Sequence, residues 1–370
     1  MDTSSSQAPP SSFTSPDAAI QRALRLIRSE DVDEKLEATR EIRRLTKTSQ
    51  RCRRQLSEAV KPLVYMLRVH GSNESHESAL LALLNLAVQD EKNKISIVEA
   101  GALEPIIDFM QSNNLNLQEY ATASLLTLSA STVNKPVISA AGAIPFLVEI
   151  LGDGSPQAKV DALMALSNLS THENNIKIIL ETDPIPAIVC LLKTCKRSSK
   201  TAEKCCSLIE SLMKFEEGRT ALTSEEGGIL AVVEVLESGS LQSRELALGA
   251  LLTMCESDRC KYREPILREG VIPGLLELTV QGTAKSQSKA KILLRLLRDT
   301  PFSRSELRPD TLENIVCNII SQIDGNDQSS KAKKMLAEMV QVSMEQSLRH
   351  LQQRALECTP SGMPINNCTS

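Results

Sequence analysis

Four histidines and ten cysteines are the side chains of this chain best suited to hold a metal or attack a substrate. Their spacing argues against both roles. No two cysteines form a CxxC pair; Cys190 and Cys195, like Cys255 and Cys260, are separated by four residues, too loose for a zinc site. Cys205, Cys206 and Cys255 sit inside apolar helical runs, where a thiol acts as a small buried hydrophobe. His70 and His76 flank a Gly-Ser-Asn loop, His172 follows an apolar stretch and His350 lies in a late amphipathic segment. None has a Ser or Cys at a spacing that suggests a nucleophile and its base. Gly152-x-Gly154 lacks a third glycine and a preceding strand, so it reads as a turn and not a phosphate loop. The acidic pairs Glu216-Glu217 and Glu225-Glu226 fall in turns and read as solubilising charge. No catalytic constellation, metal site or cofactor site is expected, and the chain does not read as an enzyme.

Composition points the same way. Hydrophobic residues make up 41% of 370 residues but aromatics only 2%, with no tryptophan. A core of Leu, Ile, Val and Ala suits helix packed on helix. The formal net charge of −4 argues against nucleic acid as a partner. Residues 1–16 contain neither a basic leader nor an apolar stretch, and no apolar run reaches 18 residues, so neither export nor a membrane span is expected. The expected location is cytoplasmic and/or nuclear.

What must position any binding residues is a repeat. "ALLALLNLA" (79–87), "ATASLLTLS" (121–129), "ALMALSNLS" (162–170) and "ALGALLTMC" (247–255) are variations on one apolar stretch. A second marker, "GAIPFLVEIL" from Gly142, has relatives starting at Glu58, Gly101, Asp183, Gly227 and Gly270. Successive starts lie 43, 41, 41, 44 and 43 residues apart, with a weaker seventh, "DTLENIVCNI", 40 later at Asp310. A helical period of about 40–47 residues means a solenoid of two- or three-helix units.

Punctuation resolves the unit into three helices. "NKISIVEAG" (93–101) is a short first helix closed by Gly101. Ile144-Pro145, Ile185-Pro186 and Ile272-Pro273 open second helices, where a missing N–H is harmless. Polar turns such as "QSNNLN" (111–116), "GDGSPQ" (152–157) and "ESGSLQ" (237–242) precede the third helix. There Leu163, Leu166 and Leu169 recur at three-residue intervals, while Ala162 and Ala165 allow close approach. Each unit repeats because it must bury its face on a neighbour.

Three short helices with this Gly and this Pro resemble armadillo repeats rather than HEAT repeats, over roughly residues 30–340. "EATREIRRLTKTSQRCRRQLSEA" (37–59), "NLSTHENNIKII" (168–179) and "MCESDRCKYREPILREGVIPGLLEL" (254–278) are similar to repeats of plant U-box/armadillo proteins. The resemblance implies an all-α, right-handed superhelix of about seven three-helix repeats over 17–330. Residues 331–356 read as an amphipathic helix capping the array, with a self-association or partner-binding role as the alternative. A disordered Ser/Pro-rich tail at 1–16 and a flexible tail at 357–370 complete the expected organisation. In that family ligase activity resides in a separate module ahead of the repeats; about 30 residues precede the first repeat here, so no such activity is expected of this sequence.

The resemblance also implies a binding surface. Armadillo proteins hold extended peptides along a concave groove lined by the third helices, with an Asn on each helix holding the peptide backbone. In this sequence that register reads Arg44, Asn85, Thr127, Asn168, Ser211, Thr253 and Leu296. The row four residues earlier reads Arg40, Leu81, Ala123, Met164, Ser207, Gly249 and Ile292. Importin-type relatives carry Trp there to stack on lysine stems; with no Trp, recognition of basic import signals by that means is not expected. Asn85 and Asn168 have an alternative use, hydrogen bonding to the neighbouring repeat.

Residues 40–54 carry seven Arg or Lys against one acid, Glu41, and a second basic cluster includes Lys289 and Arg295. A groove with basic ends predicts an acidic or phosphorylated partner segment; simple solvation of terminal repeats is the competing explanation. The expected function is therefore a non-enzymatic scaffold that binds an intracellular protein or peptide. A substrate adaptor in ubiquitination, with the ligase supplied in trans, is the alternative.

Overall fold

A computed structural model describes residues 16–69 and 71–298. The marker at Asp310, the proposed capping helix and both tails lie outside the described residues, as do His70 and His350.

The first helices, α1 (Pro16–Leu26) and α2 (Val32–Thr46), form a two-helix leading unit. Six three-helix repeats follow among the described residues. They are α3 (Gln50–Gln55), α4 (Val60–Arg68) and α5 (Asn73–Ala87); α6 (Glu91–Glu99), α7 (Leu103–Met110) and α8 (Leu115–Ser129); and α9 (Asn134–Ala140), α10 (Ala143–Asp153) and α11 (Pro156–Leu169). Then come α12 (Glu173–Glu181), α13 (Ile185–Thr194) and α14 (Lys200–Leu212); α15 (Glu216–Ser224), α16 (Gly228–Ser238) and α17 (Leu241–Ser257); and α18 (Arg259–Arg268), α19 (Ile272–Gln281) and α20 (Ala284–Leu297). The described residues contain no strand, and no single helix among them is long and apolar enough to cross a membrane.

The first helix turns sharply into the second. At Gly101 the backbone sits at φ 85°, a left-handed value that glycine adopts without strain. Gly142, Gly227 and Gly270 repeat the device, but in the α12–α13 turn Asp183 takes its place at φ 48°. Aspartate is among the few non-glycine residues that tolerate this region. The Ile-Pro pairs then begin α13 and α19 and follow the first residue of α10, as their chemistry predicts.

Two layers result. Second helices pack on second helices, third helices on third helices, and within each repeat the two layers share the core. The repeated apolar sentence is explained by this packing: Ala162, Leu163, Ala165, Leu166 and Leu169 are all fully buried. Met164, on the remaining side of α11, stays half-exposed. Seven third helices (α2, α5, α8, α11, α14, α17 and α20) stack in succession and present one continuous face.

Candidate functional site on the third-helix face

Every third helix starts from a capped turn, and this fixes the register of the face. Asp31, Ser72, Asn114, Ser155, Ser199, Ser240 and Thr283 each accept a hydrogen bond from a backbone N–H two or three residues on. Residues at matching positions of α2 to α20 therefore fall side by side, at intervals near 42.

The row predicted from sequence forms a line of half-buried polar groups, from Asn85 to Thr253, between exposed Arg44 and half-buried Leu296. Asn85 donates through Nδ2 to the carbonyl of Arg43 in the preceding unit, at 3.1 Å. Asn168 donates through Nδ2 to the Ser129 hydroxyl of the preceding repeat, also at 3.1 Å. Both amides thus stitch neighbouring repeats, while each carbonyl Oδ1 has no partner among the described residues. The hydroxyls of Thr127, Ser211 and Thr253 donate back along their own helices to the carbonyls of Ala123, Ser207 and Gly249, at 3.0, 3.1 and 2.9 Å. In the adjacent row Leu81, Ala123, Met164 and Ser207 are half-buried, Gly249 is buried and Ile292 is exposed.

The two basic ends are built differently. At the α2 end, Arg40, Arg43, Arg44 and Lys47 face Leu81 and Asn85 of α5 across a cavity of about 340 Å³. Arg40 pairs with Glu74. Arg44 grips Glu41 through Nε (2.8 Å) and Nη2 (2.7 Å), and these bonds hold the Glu41 carboxyl below its ordinary pKa. At the α20 end Arg295 is exposed, whereas Lys289 reaches over α17 to Glu210 of α14, at 3.2 Å. Gly249 makes that crossing possible: a Cβ there would overlap the Glu210 carboxylate and lie 2.9 Å from the Lys289 ammonium.

Two periodic sets escaped the sequence reading. Glu77, Glu119, Asp161, Glu203 and Glu245 succeed one another at intervals of 42 along the third helices. Glu77 accepts from Asn114 (3.1 Å), Glu119 from Ser155, and Glu245 from Thr283 (2.9 Å). Three rungs thus bind the N-cap residue of the next third helix. Glu245 also pairs with Lys285 at 2.9 Å, which holds its pKa low. Asp161 and Glu203 are bonded within their own helices, to Gln157 (3.0 Å) and Lys200 (2.9 Å). Burial pushes the Asp161 carboxyl upward, with the nearby Glu119 charge adding to it. The middle of the face therefore has an acidic border between its basic ends.

The second set lies in the first helices. Arg53, Asn93, Asn134, Asn175 and Arg219, spaced 40, 41, 41 and 44 apart, donate to carbonyls at the end of the third helix before them: Thr46, Leu86, Leu128, Leu169 and Met213. The asparagines reach in addition to Arg53, Lys94 and Lys135 of the preceding first helix. They satisfy orphan C-terminal carbonyls and join repeats at once. Their period was the available signal, hidden because the residue type changes at both ends.

The candidate chemical residues are dispersed. His76 stacks against Phe109, ring centres 4.9 Å apart, and its Nε2 lies 3.0 Å from the Val69 carbonyl. Burial pushes the Cys205 and Cys206 thiols far up and that of Cys255 to about 11. Among the described residues no three His, Cys, Asp or Glu converge on a metal-sized space. What the face offers is a line of hydrogen-bonding groups, an apolar strip and local charge.

Comparisons with known proteins agree with this architecture. An engineered protein of known structure superimposes with a TM-score of 0.67 over 76% of this chain and 71% of its own, at 21% identity, a likeness of fold alone. U-box domain-containing protein 45 of Arabidopsis thaliana is 33% identical over 73% of this chain and 36% of its own length. U-box domain-containing protein 17 of the same plant is 32% identical over 70% of this chain and 36% of its own length. The chain thus spans about a third of the length of these relatives. Residues 18–313 match the family model of the plant U-box protein ARM repeat region. With most of its length inside that match, the chain belongs to the family of plant U-box protein ARM repeat regions.

Proposed function

We propose that the chain is a protein-binding scaffold that holds an extended segment of a partner along the third-helix face, with an anionic group of that segment seated at the α2 end. The observation that carries this reading is the cavity where Arg40, Arg43, Arg44 and Lys47 meet Leu81 and Asn85. From there the strip continues through half-buried Thr127, Met164 and Asn168. Such a surface suits a backbone that needs hydrogen-bond partners and a side chain that needs charge. The test is quantitative capture by the wild type and by a variant carrying Asn85→Glu, Thr127→Glu and Asn168→Glu, with circular dichroism first confirming the fold. Partners lost selectively by the variant support the face; an unchanged partner set refutes it.

A second reading is favoured by the names of the relatives: the same surface would present a substrate to a ubiquitin ligase supplied by another protein. Its test is whether a partner captured by the face is ubiquitinated in a reconstituted reaction only when this chain is present.

A further inference from the structure

The α2 end of the face is chemically more specific than a basic patch. Arg40, Arg43, Arg44 and Lys47 lie at i, i+3, i+4 and i+7, hence on one side of α2. Crowding like charges at this spacing destabilises a helix. Two of the four are answered: Arg40 by Glu74 and Arg44 by Glu41. Arg43 and Lys47 are exposed and have no ion-pair partner among the described residues. The cavity of about 340 Å³ thus has an excess of two positive charges at its rim and one apolar wall, Leu81.

We propose that this cavity is a binding site for a phosphorylated side chain on a partner protein. A carboxylate would answer only one of the two free cations. A phosphomonoester carries about −1.5 to −2 at neutral pH and three acceptor oxygens, matching the excess in number and the Arg fork in geometry. Leu81 supports the carbon stem of the phosphorylated residue. Asn85 holds the cavity open by its bond to the Arg43 carbonyl, which fixes α5 against α2 without consuming the Arg43 guanidinium. The site rests on the proposed binding role of the face, but its ligand chemistry is separately testable.

The experiment uses fluorescence anisotropy and three degenerate nonapeptide libraries with a fixed central residue: phosphoserine, glutamate or serine. Each is titrated with the whole chain, with Arg43→Gln/Lys47→Gln, and with Lys289→Gln at the opposite end as a charge control. Both substituted residues at α2 are exposed, so folding is little disturbed, and Arg43→Gln leaves the carbonyl that Asn85 uses. The expected result at physiological salt is phosphoserine binding at least about tenfold tighter than glutamate, an advantage removed by the double variant and kept by Lys289→Gln. Equal affinity for phosphoserine and glutamate, an advantage that survives the double variant, or no binding of any library overturns the site. A short single-stranded RNA that binds more tightly than the phosphoserine library at the same arginines also overturns it, in favour of nucleic acid. Loss of the phosphate preference alone leaves the partner-capture test of the face unaffected.

Discussion

Two asparagine rows run through the array, and truncation separates their roles. Asn134, on α9, is 1% exposed and donates through Nδ2 to both Leu128 and Lys94. Asn85, on α5, is half-exposed and donates once, to Arg43. A hydrogen bond contributes about 0.5–1.5 kcal/mol net, so Asn134→Ala loses about 1–3 kcal/mol before any void is counted. Helix propensity returns about 0.6 kcal/mol at Asn85 and less at Asn134, the first residue of its helix. Asn85→Ala should therefore lie between neutral and about 1 kcal/mol. Asn134→Asp should exceed Asn134→Ala, because a carboxylate faces two carbonyls with no proton to share. Urea unfolding followed by far-ultraviolet circular dichroism reads the midpoints, and hydrogen exchange at α8–α9 detects local opening if the array unfolds in steps. If Asn134→Ala falls within about 0.5 kcal/mol of Asn85→Ala, or if Asn134→Asp matches wild type, the carbonyl stitching is not what joins the repeats.

Three further outcomes follow. Gly249→Ala should be neutral or stabilising in thermal melts: helix propensity gains about 1 kcal/mol, while the half-exposed Glu210–Lys289 pair it displaces contributes about 0–1 kcal/mol; a large destabilisation would show the pair to be a principal inter-repeat tie. Asp161→Asn should raise stability at pH 7, because the buried carboxyl has a raised pKa and the folded state loses stability as pH climbs from the ordinary aspartate value through the raised one. The variant keeps the acceptor for Gln157, and its advantage should shrink as pH falls toward about 3.9; equal melting temperatures at pH 7 would refute the burial argument. Brief alkylation with peptide mapping should label exposed Cys190 and Cys260 and spare Cys205 and Cys206 until unfolding, and early labelling of the latter pair would contradict their burial.

How much of this was legible in the sequence follows from what each residue answers to. The repeat, its three helices and the Gly and Pro positions were readable because they obey local backbone rules that act within a few residues. Asp183 in place of a glycine was tolerable because aspartate is the next choice for that geometry. Register alone drew Arg40, Arg44 and Asn85 to one face, and the structure sets them around one cavity. What register could not reveal was the partner of each group. The Lys289–Glu210 crossing joins residues 79 apart and depends on the missing Cβ of Gly249, a contact no single-repeat comparison contains. The carboxylate ladder was equally hidden, although its interval is regular, since a Glu on a helix reads as solvated until the N-cap of the next repeat is placed beside it.

The hydrogen positions implied by that bonding give the face a direction. Thr127, Ser211 and Thr253 spend their protons on their own helices, so what they turn outward is lone pairs. The Oδ1 of Asn85 and Asn168 adds acceptors, and the ladder from Glu77 to Glu245 adds negative charge along one border. The centre therefore favours a ligand's donors, whereas the arginines of α2 favour its acceptors. A segment that satisfies both has its anionic group first, at α2, and neutral or basic residues running on toward α14. Peptides with a terminal phosphoserine followed either by lysines or by glutamates test this. The lysine series should bind several-fold more tightly than the glutamate series, with the difference reduced by Asp161→Asn/Glu203→Gln. Equal binding of the two would mean that the acceptor-rich centre is spent entirely on joining repeats, and that recognition is confined to the α2 cavity.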